Sequence, residues 1–162
     1  KSGHLLFDVL THKVTIGSTS LLIRRSVYEK LGGFDESFKR HQDWEFTARV
    51  ANMTKIVALD YVGFERYLTF RNSPKSLNEA EYYMEHYLKK MEPLIKKFNK
   101  WEQKYIIVSN RLSILLRLLR KGKILTFIKK FNEYNAGLIG LMYLLKAIIS
   151  YVYRNIKQLI RL

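Results

Sequence analysis

The sequence predicts an α/β region followed by an all-α extension, with helix as the main structure of the chain. β-branched and aromatic residues concentrate in residues 14–24 and 56–70, which is typical of strands. From about Leu77 onward, apolar residues recur with helical spacing. A loop signal, Asn72-Ser73-Pro74, separates the two patterns. We therefore divide the chain into residues 1–78 and a basic amphipathic helical extension over residues 79–162.

Composition narrows the function classes. The 162 residues are 48% hydrophobic and 14% aromatic, which suits a domain with a core and excludes a disordered chain. The absence of cysteine excludes disulfides and thiolate metal sites. Charge is uneven: residues 1–79 carry 12 basic and 9 acidic side chains, whereas residues 80–162 carry 17 and 5. A basic, apolar segment suits an anionic membrane surface or a nucleic acid, and charge alone does not separate these.

The first region is expected to begin with a short helix over residues 3–12. Leu21-Leu22-Ile23 then predicts a buried strand. Ser26 is the expected N-cap of the next helix, because Glu29 follows at the spacing of a capping box. Gly32 or Gly33 is expected to end that helix.

Helices account for most of the remaining chain. A helix over residues 43–51 is expected to pair Glu45 with Arg49 across one turn. One helix is expected over residues 79–91, and Pro93 is expected to start or kink the next helix. The other predicted helices cover residues 101–119, 124–134 and 138–162, with stops at Gly122 and at residues 135–137.

One run of residues carries most of the chemical information. Gly32-Gly33-Phe34-Asp35-Glu36 is followed, after a short loop, by Gln42-Asp43-Trp44-Glu45. Two glycines in succession favour a turn. After the short loop, Asp43 is expected at the start of the next helix. A carboxylate there suits either of two roles: an N-cap of the helix, or a base that removes a proton from a bound hydroxyl.

Three segments in order resemble the acceptor-side half of the family 2 glycosyltransferases. They are residues 18–25 (Ser-Thr-Ser-Leu-Leu-Ile-Arg-Arg), 28–36 (Tyr-Glu-Lys-Leu-Gly-Gly-Phe-Asp-Glu) and 42–51 (Gln-Asp-Trp-Glu-Phe-Thr-Ala-Arg-Val-Ala). The resemblance covers roughly residues 5–78. It implies part of a GT-A fold, with the remnant of a Rossmann-like sheet. It also implies a hexosyltransferase-like enzyme that transfers a sugar from a nucleotide donor with inversion at the anomeric carbon.

The resemblance assigns roles to individual residues. Asp43 is implied as the catalytic base. Gln42 and Trp44 are implied to contact the substrate, although Trp44 suits a core position equally well. Ser18 and Thr19 are expected near the donor sugar. Arg71 is expected near the diphosphate.

The resemblance also implies a divalent cation, Mn²⁺ or Mg²⁺, in the full-length enzyme. The family's Asp-x-Asp motif does not occur in this sequence, and Ser73 stands where many members have a further His ligand. We therefore expect no metal ligand here, and the cation to be bound mainly outside this chain. The sequence also begins without Met, so we expect it to be a fragment of a longer protein. Because the resemblance places the metal and the nucleotide in the absent half, we expect this fragment to be inactive alone.

The function hypothesis is the C-terminal segment of a bacterial-type enzyme of surface polysaccharide synthesis. Its expected partners are a nucleotide-sugar and a glycan or lipid-linked acceptor, at the cytoplasmic face of the membrane. Exposed apolar faces also predict pairing with a second copy. Two alternatives stay open: a basic nucleic-acid-binding module, and a non-catalytic membrane-associated scaffold. The nucleic-acid alternative does not explain the glycine turn and the Gln-Asp-Trp-Glu run, whereas the scaffold would retain a glycosyltransferase-like core.

Overall fold

The computed structural model describes residues 2–60, 62, 63, 65, 74 and 76–146. Their main elements are helices: α1 (Leu6–Leu10), α2 (Arg25–Leu31), α3 (Gln42–Met53), α4 (Leu77–Ile95), α5 (Lys100–Arg120) and α6 (Ile124–Glu133). Residues 137–146 are also helical, and Ser18–Ser20 form a 3-10 turn. The chain divides into two compact units, Lys1–Ile106 and Ile107–Leu162.

The core of the first unit is built around α3. This helix buries Phe46, Ala48, Val50 and Ala51, and packs against α1, α2 and α4. The opposing helices contribute buried apolar side chains, which are Val9 and Leu10 from α1 and Met84, Tyr87, Leu88, Met91 and Ile95 from α4. Because α3 is held on several sides, its first turn has a fixed position from which functional side chains can project.

The predicted sheet does not appear among the described residues. Their β-type pairing is one isolated antiparallel bridge between Gly3 and Ile56. The buried strand predicted over Leu21-Leu22-Ile23 is wrong, since Leu22 is 90% exposed and this segment pairs with no strand among the described residues. An extended segment becomes a stable strand only with neighbours, and even a two-stranded pair is marginal alone. Of the second predicted region, residues 66–70 lie outside the described residues.

The predicted N-cap at Ser26 is also wrong, and the N-cap alternative for Asp43 does not hold. Helix α2 begins after Arg24, and Ser26 lies within its first turn. The Glu29 carboxylate accepts a hydrogen bond from Arg25 Nε at 2.7 Å, so it is not available for a capping box. Helix α3 begins after His41, which places Asp43 inside the first turn. The interpretation of Asp43 as an N-cap is therefore excluded.

The predicted ends of α2 and α5 are confirmed. Gly32 follows α2 with a φ of 73°, and Gly122 follows α5 with a φ of 66°. Both angles lie in the left-handed region that favours glycine. The predicted helix end at Met91 is wrong, because α4 continues through Pro93 and ends at Ile95.

The second unit has its own buried residues. They are Val108, Asn110, Ile114, Leu115, Leu118, Tyr134, Ala136, Ile139 and Gly140. A turn between α6 and the 137–146 segment contains Asn135 and Gly137, each with a φ of 48°, as the sequence predicts. Of the apolar stretch over residues 136–153, residues 147–153 lie outside the described part. None of the described helices has the length and hydropathy needed to cross a membrane.

Candidate functional site

A pocket of about 370 Å³ lies at the start of α3. Its lining residues are Ser18, Phe34, Arg40, His41, Gln42 and Asp43. The lining thus joins the 3-10 turn, the residue after the glycine pair, and the first turn of α3. Three of the predicted site residues, Ser18, Gln42 and Asp43, meet in this pocket although Ser18 is distant in sequence from the other two.

The Asp43 carboxylate is half-buried in the pocket wall. Its Oδ1 atom accepts a hydrogen bond from the Trp44 amide at 3.0 Å, which fixes the side chain. Its Oδ2 atom accepts no hydrogen bond from the residues that the structure describes. Gly17 lies on that side, since a Cβ added to it would be 4.0 Å from Oδ2. One oxygen of Asp43 is therefore held by the backbone, while the other is open to a ligand.

An ion pair between Glu45 and Arg49 holds α3 against the glycine turn, and the predicted pairing is confirmed. Arg49 contacts the buried Glu45 carboxylate twice, through Nε to Oε1 at 2.5 Å and through Nη2 to Oε2 at 2.8 Å. It also donates to the carbonyls of Leu31 at 2.6 Å and Gly33 at 2.7 Å. The Arg49 guanidinium therefore links α3 to the glycine turn. Because of this link, both ends of the loop between Gly33 and Asp43 are held in place.

Asp35 stabilises the loop between the turn and the pocket. Its Oδ1 accepts from the Ser37 amide at 2.9 Å, and its Oδ2 accepts from Lys90 Nζ on α4 at 2.8 Å. Hydrogen bonds from Lys90 and then Ser37 hold the pKa of the Asp35 carboxyl well below its usual range. Asp35 is thus a structural partner of Lys90 and is distinct from the carboxylate in the pocket.

An aromatic cluster supports the other side of the first turn of α3. The His41 ring stacks on Trp44 with ring centres 4.0 Å apart, and His12 also contacts Trp44 at 4.1 Å. Tyr87 lies edge-on to Trp44 at 6.0 Å. Burial, followed by the positive charge of Arg40 and the proximity of His12, lowers the pKa of His41 to about 4. His41 is therefore a neutral wall residue near neutral pH.

The remaining predicted site residues lie elsewhere. Thr19 is exposed on the 3-10 turn, next to Ser18 but not in the pocket lining. Trp44 is half-buried behind the pocket, with one face covered by His41. Arg71 lies outside the described residues, so its predicted role stays a prediction.

Sequence reasoning missed three residues of the pocket: Phe34, Arg40 and His41. Phe34 belongs to the glycine run itself, and Arg40 and His41 are the two residues before Gln42. Their position in or beside the motif was the one signal that the sequence offered. The positive φ of His41, which helps to form the pocket, is visible only in the structure. Arg40 gives the pocket a positive charge opposite in sign to Asp43.

The lining suits a ligand rich in hydroxyl groups. It combines one carboxylate, one guanidinium, one carboxamide, one hydroxyl and one imidazole with a single aromatic ring. Asp43 is the one carboxylate in the lining, and the described residues contain no group of three or more His, Asp or Glu that could hold a metal ion. The residues present therefore fit proton transfer and hydrogen bonding, and do not fit a divalent cation.

Comparison with known proteins gives one family match. The family described as glycosyltransferase-like family 2 matches residues 3–111, about two thirds of the chain. The matched segment includes every residue of the pocket lining and ends before α6. No curated protein and no solved structure matches the chain.

Proposed function

The chain belongs to glycosyltransferase-like family 2, and on this premise we propose that it forms the acceptor side of an inverting sugar transfer with Asp43 as the base. The donor is a nucleotide-sugar, and the acceptor is a hydroxyl of a glycan or lipid-linked glycan. The observation that carries this proposal is the Asp43 carboxylate in the pocket, with Oδ1 bonded to the backbone and Oδ2 open.

The proposed reaction is a single displacement. The acceptor oxygen forms a bond to the anomeric carbon on the face opposite the nucleoside diphosphate. The bond between that carbon and the diphosphate breaks, and the leaving group keeps the electron pair. The acceptor proton passes to Asp43 Oδ2, because a carboxylate within hydrogen-bond reach makes a weakly nucleophilic hydroxyl competent to attack.

The neighbouring side chains serve binding in this proposal. Gln42 and Ser18 line the same pocket and hydrogen-bond sugar hydroxyls. Thr19 adjoins Ser18 and contacts the donor sugar, while Arg71 approaches the diphosphate. Trp44 acts mainly through the cluster that fixes the first turn of α3, since His41 covers one of its faces.

The proposal assigns any divalent cation to residues outside this chain. The pocket offers a single carboxylate, and the described residues do not form a cation site. Mn²⁺ or Mg²⁺ in the full-length enzyme would supply charge stabilisation to the departing diphosphate. No step proposed for Asp43 passes through that cation.

We also propose a cellular setting for the reaction. The chain is part of a GT-A enzyme of bacterial surface polysaccharide synthesis, held at the cytoplasmic face of the membrane. The net charge of +15 supports a location beside anionic lipids, where a lipid-linked acceptor would be found.

The test is sugar transfer by the full-length protein from a panel of nucleotide-sugars to lipid-linked acceptors, with and without Mn²⁺ or Mg²⁺. Wild type is compared with Asp43→Asn, which keeps the size of the side chain and removes its basicity. We expect Asp43→Asn to lower kcat by roughly 10²- to 10⁴-fold, the usual contribution of a positioned base. KM should change far less.

The matched control is Glu36→Gln. It removes a carboxylate from the same loop, at an exposed position outside the pocket lining. We expect this variant to retain nearly full activity. Equal kcat values for wild type and Asp43→Asn would contradict the assignment of Asp43. No turnover by wild type with any donor would contradict the transferase proposal itself.

A further inference from the structure

We propose that α6 and the 137–146 segment form a docking surface for an anionic lipid bilayer. This surface lies beyond the matched residues 3–111. This proposal names the residues that would hold the protein at the membrane. It rests on the membrane location put forward under the proposed function. It does not depend on the proposed chemistry of Asp43.

The 137–146 segment exposes an apolar stripe to water. Leu138, Leu141, Met142 and Leu145 are all exposed, with Leu138 at 73%. Their spacing of three and four residues places them on one face of the helix. Ile139 and Gly140, on the other side, are buried. This helix therefore packs on the protein through one face and leaves a second apolar face without cover from the described residues.

Helix α6 has the same property. None of its ten residues is buried, and Leu125 is 85% exposed. Ile124, Leu125 and Ile128 lie on one side of the helix, with Lys129 at the edge of that side, whereas Thr126, Lys130 and Glu133 lie towards the other. A strongly amphipathic helix whose apolar side remains exposed is the form that lies in a membrane interface.

Charge identifies the chemistry of the partner. Residues 107–146 contain eight Lys or Arg and one acidic residue, a net charge of +7. The exposed cations Arg120, Lys121 and Lys123 directly precede α6, and Lys129 and Lys146 lie within the two helices. Basic side chains beside exposed leucines suit phosphate headgroups above an acyl layer.

A second copy of the chain is a poorer occupant of this surface. Two copies meeting here would bring two surfaces of net charge +7 together, and the sole acidic residue, Glu133, is already paired with Lys130 at 3.1 Å. Like charges in contact oppose association. An anionic bilayer avoids this repulsion and accepts the leucines without a complementary groove.

The test is co-sedimentation of the protein with phosphatidylcholine vesicles that either contain or lack phosphatidylglycerol. We expect salt-sensitive binding to the anionic vesicles. Changing Lys121, Lys123 and Lys129 together to Gln should weaken binding by roughly 100-fold, since each lysine near an anionic surface contributes roughly fivefold. Leu141→Gln with Leu145→Gln should weaken it by at least roughly tenfold through loss of apolar insertion.

Two control variants test whether binding depends on this surface or only on the total charge and apolar area of the protein. Lys30, Lys39 and Lys55 are exposed in the first unit, and changing them together to Gln removes the same charge. Leu22→Gln removes a leucine that is even more exposed than Leu138. Both variants should bind within about threefold of wild type, because none of these residues belongs to α6 or the 137–146 segment.

Several outcomes would overturn the proposal. Wild type that ignores anionic vesicles excludes a lipid partner. Equal losses in the two lysine triples would show that net charge, and not this surface, drives binding. A wild-type dimer that Leu141→Gln with Leu145→Gln converts to monomer would assign the surface to a second copy. Each readout is independent of sugar transfer, so failure of the proposed enzyme activity leaves this test intact.

Discussion

Helix α3 buries a charged side chain, whereas the 137–146 segment exposes apolar side chains. Helix α3 buries the Glu45 carboxylate and satisfies the partner guanidinium of Arg49 with four hydrogen bonds. The 137–146 segment leaves four large apolar side chains in water. Where a buried polar group finds hydrogen-bond partners within the protein, those contacts stabilise the fold. Where an apolar face has no cover, the contact that matters is with something outside the unit.

The strongest challenge to this comparison is Arg49→Met. It leaves the Glu45 carboxylate buried without its cation and removes the donor to the Leu31 and Gly33 carbonyls. Breaking a buried pair from one side costs about 3–5 kcal/mol, because the remaining charge stays desolvated. We expect a loss of that size in the free energy of unfolding, measured by urea denaturation of the whole chain.

Arg25→Met is the matched control for that experiment. Arg25 pairs with Glu29 at the same spacing on α2, but both side chains are mostly exposed. An exposed pair contributes at most about 1 kcal/mol. Similar losses for the two variants would show that the Arg49 contacts are not special, and would remove one side of the comparison.

The glycine turn gives the next largest effect. Gly32 and Gly33 have nearly identical φ angles, 73° and 74°. A Cβ on Gly32 meets nothing within 4 Å, whereas a Cβ on Gly33 would lie 2.8 Å from the Tyr28 hydroxyl. Gly32→Ala should cost about 1 kcal/mol in unfolding free energy, and Gly33→Ala about 2 kcal/mol, because the second must also displace Tyr28.

Adding Tyr28→Ala separates the two contributions at Gly33. In that background the clash is gone, so Gly33→Ala should cost no more than Gly32→Ala does in wild type. A larger cost that persists without Tyr28 would mean that the Arg49 bond to the Gly33 carbonyl, and not the hydroxyl, limits this position.

His41 should make the first unit sensitive to acid. Its pKa is about 4 in the folded chain against an ordinary 6.5, so the unfolded chain binds a proton first as the pH falls. Stability is therefore full above about pH 6.5 and declines until the pH reaches about 4. Allowing for partial exposure, we expect a loss of roughly 1–2 kcal/mol over this range.

The variant for this prediction is His41→Asn. Asparagine tolerates the φ of 67° at this position and does not titrate. Urea midpoints near neutral pH and just above pH 4 should therefore differ less in the variant than in wild type. The lowered pKa of Asp35 acts at more acidic pH and stays outside this window. Parallel pH dependence in the two proteins would contradict the buried, neutral His41.

The sequence predicted best what depends on neighbours along the chain. The Glu45–Arg49 pair, the stops at Gly32 and Gly122, and the run of helices after Leu77 follow from spacing and glycine chemistry. These features need no tertiary information, because the interacting groups lie within one or two turns of each other.

The errors arose where another side chain takes the expected partner, or where the structure depends on a distant segment. Ser26 has the spacing of an N-cap, but the Glu29 carboxylate that would complete the capping box is bonded to Arg25. Leu21-Leu22-Ile23 has strand composition, but a strand exists only if another segment pairs with it. The pocket shows the same limit: Gln42 and Asp43 were chosen from a motif, whereas Phe34 and His41 join it only after the loop has folded back.

The smallest expected effect is also the sharpest test of the other side of the comparison. Leu141→Gln replaces an exposed apolar side chain on the stripe, so the unfolding free energy should change by less than about 0.5 kcal/mol. Leu118→Ala, at a fully buried leucine of the same unit, should cost about 2–5 kcal/mol. Near-neutral stability combined with lost vesicle binding would show that the stripe is maintained for a partner. A large stability loss from Leu141→Gln would instead mean that the side chain packs within the fold, and the contrast with α3 would no longer hold.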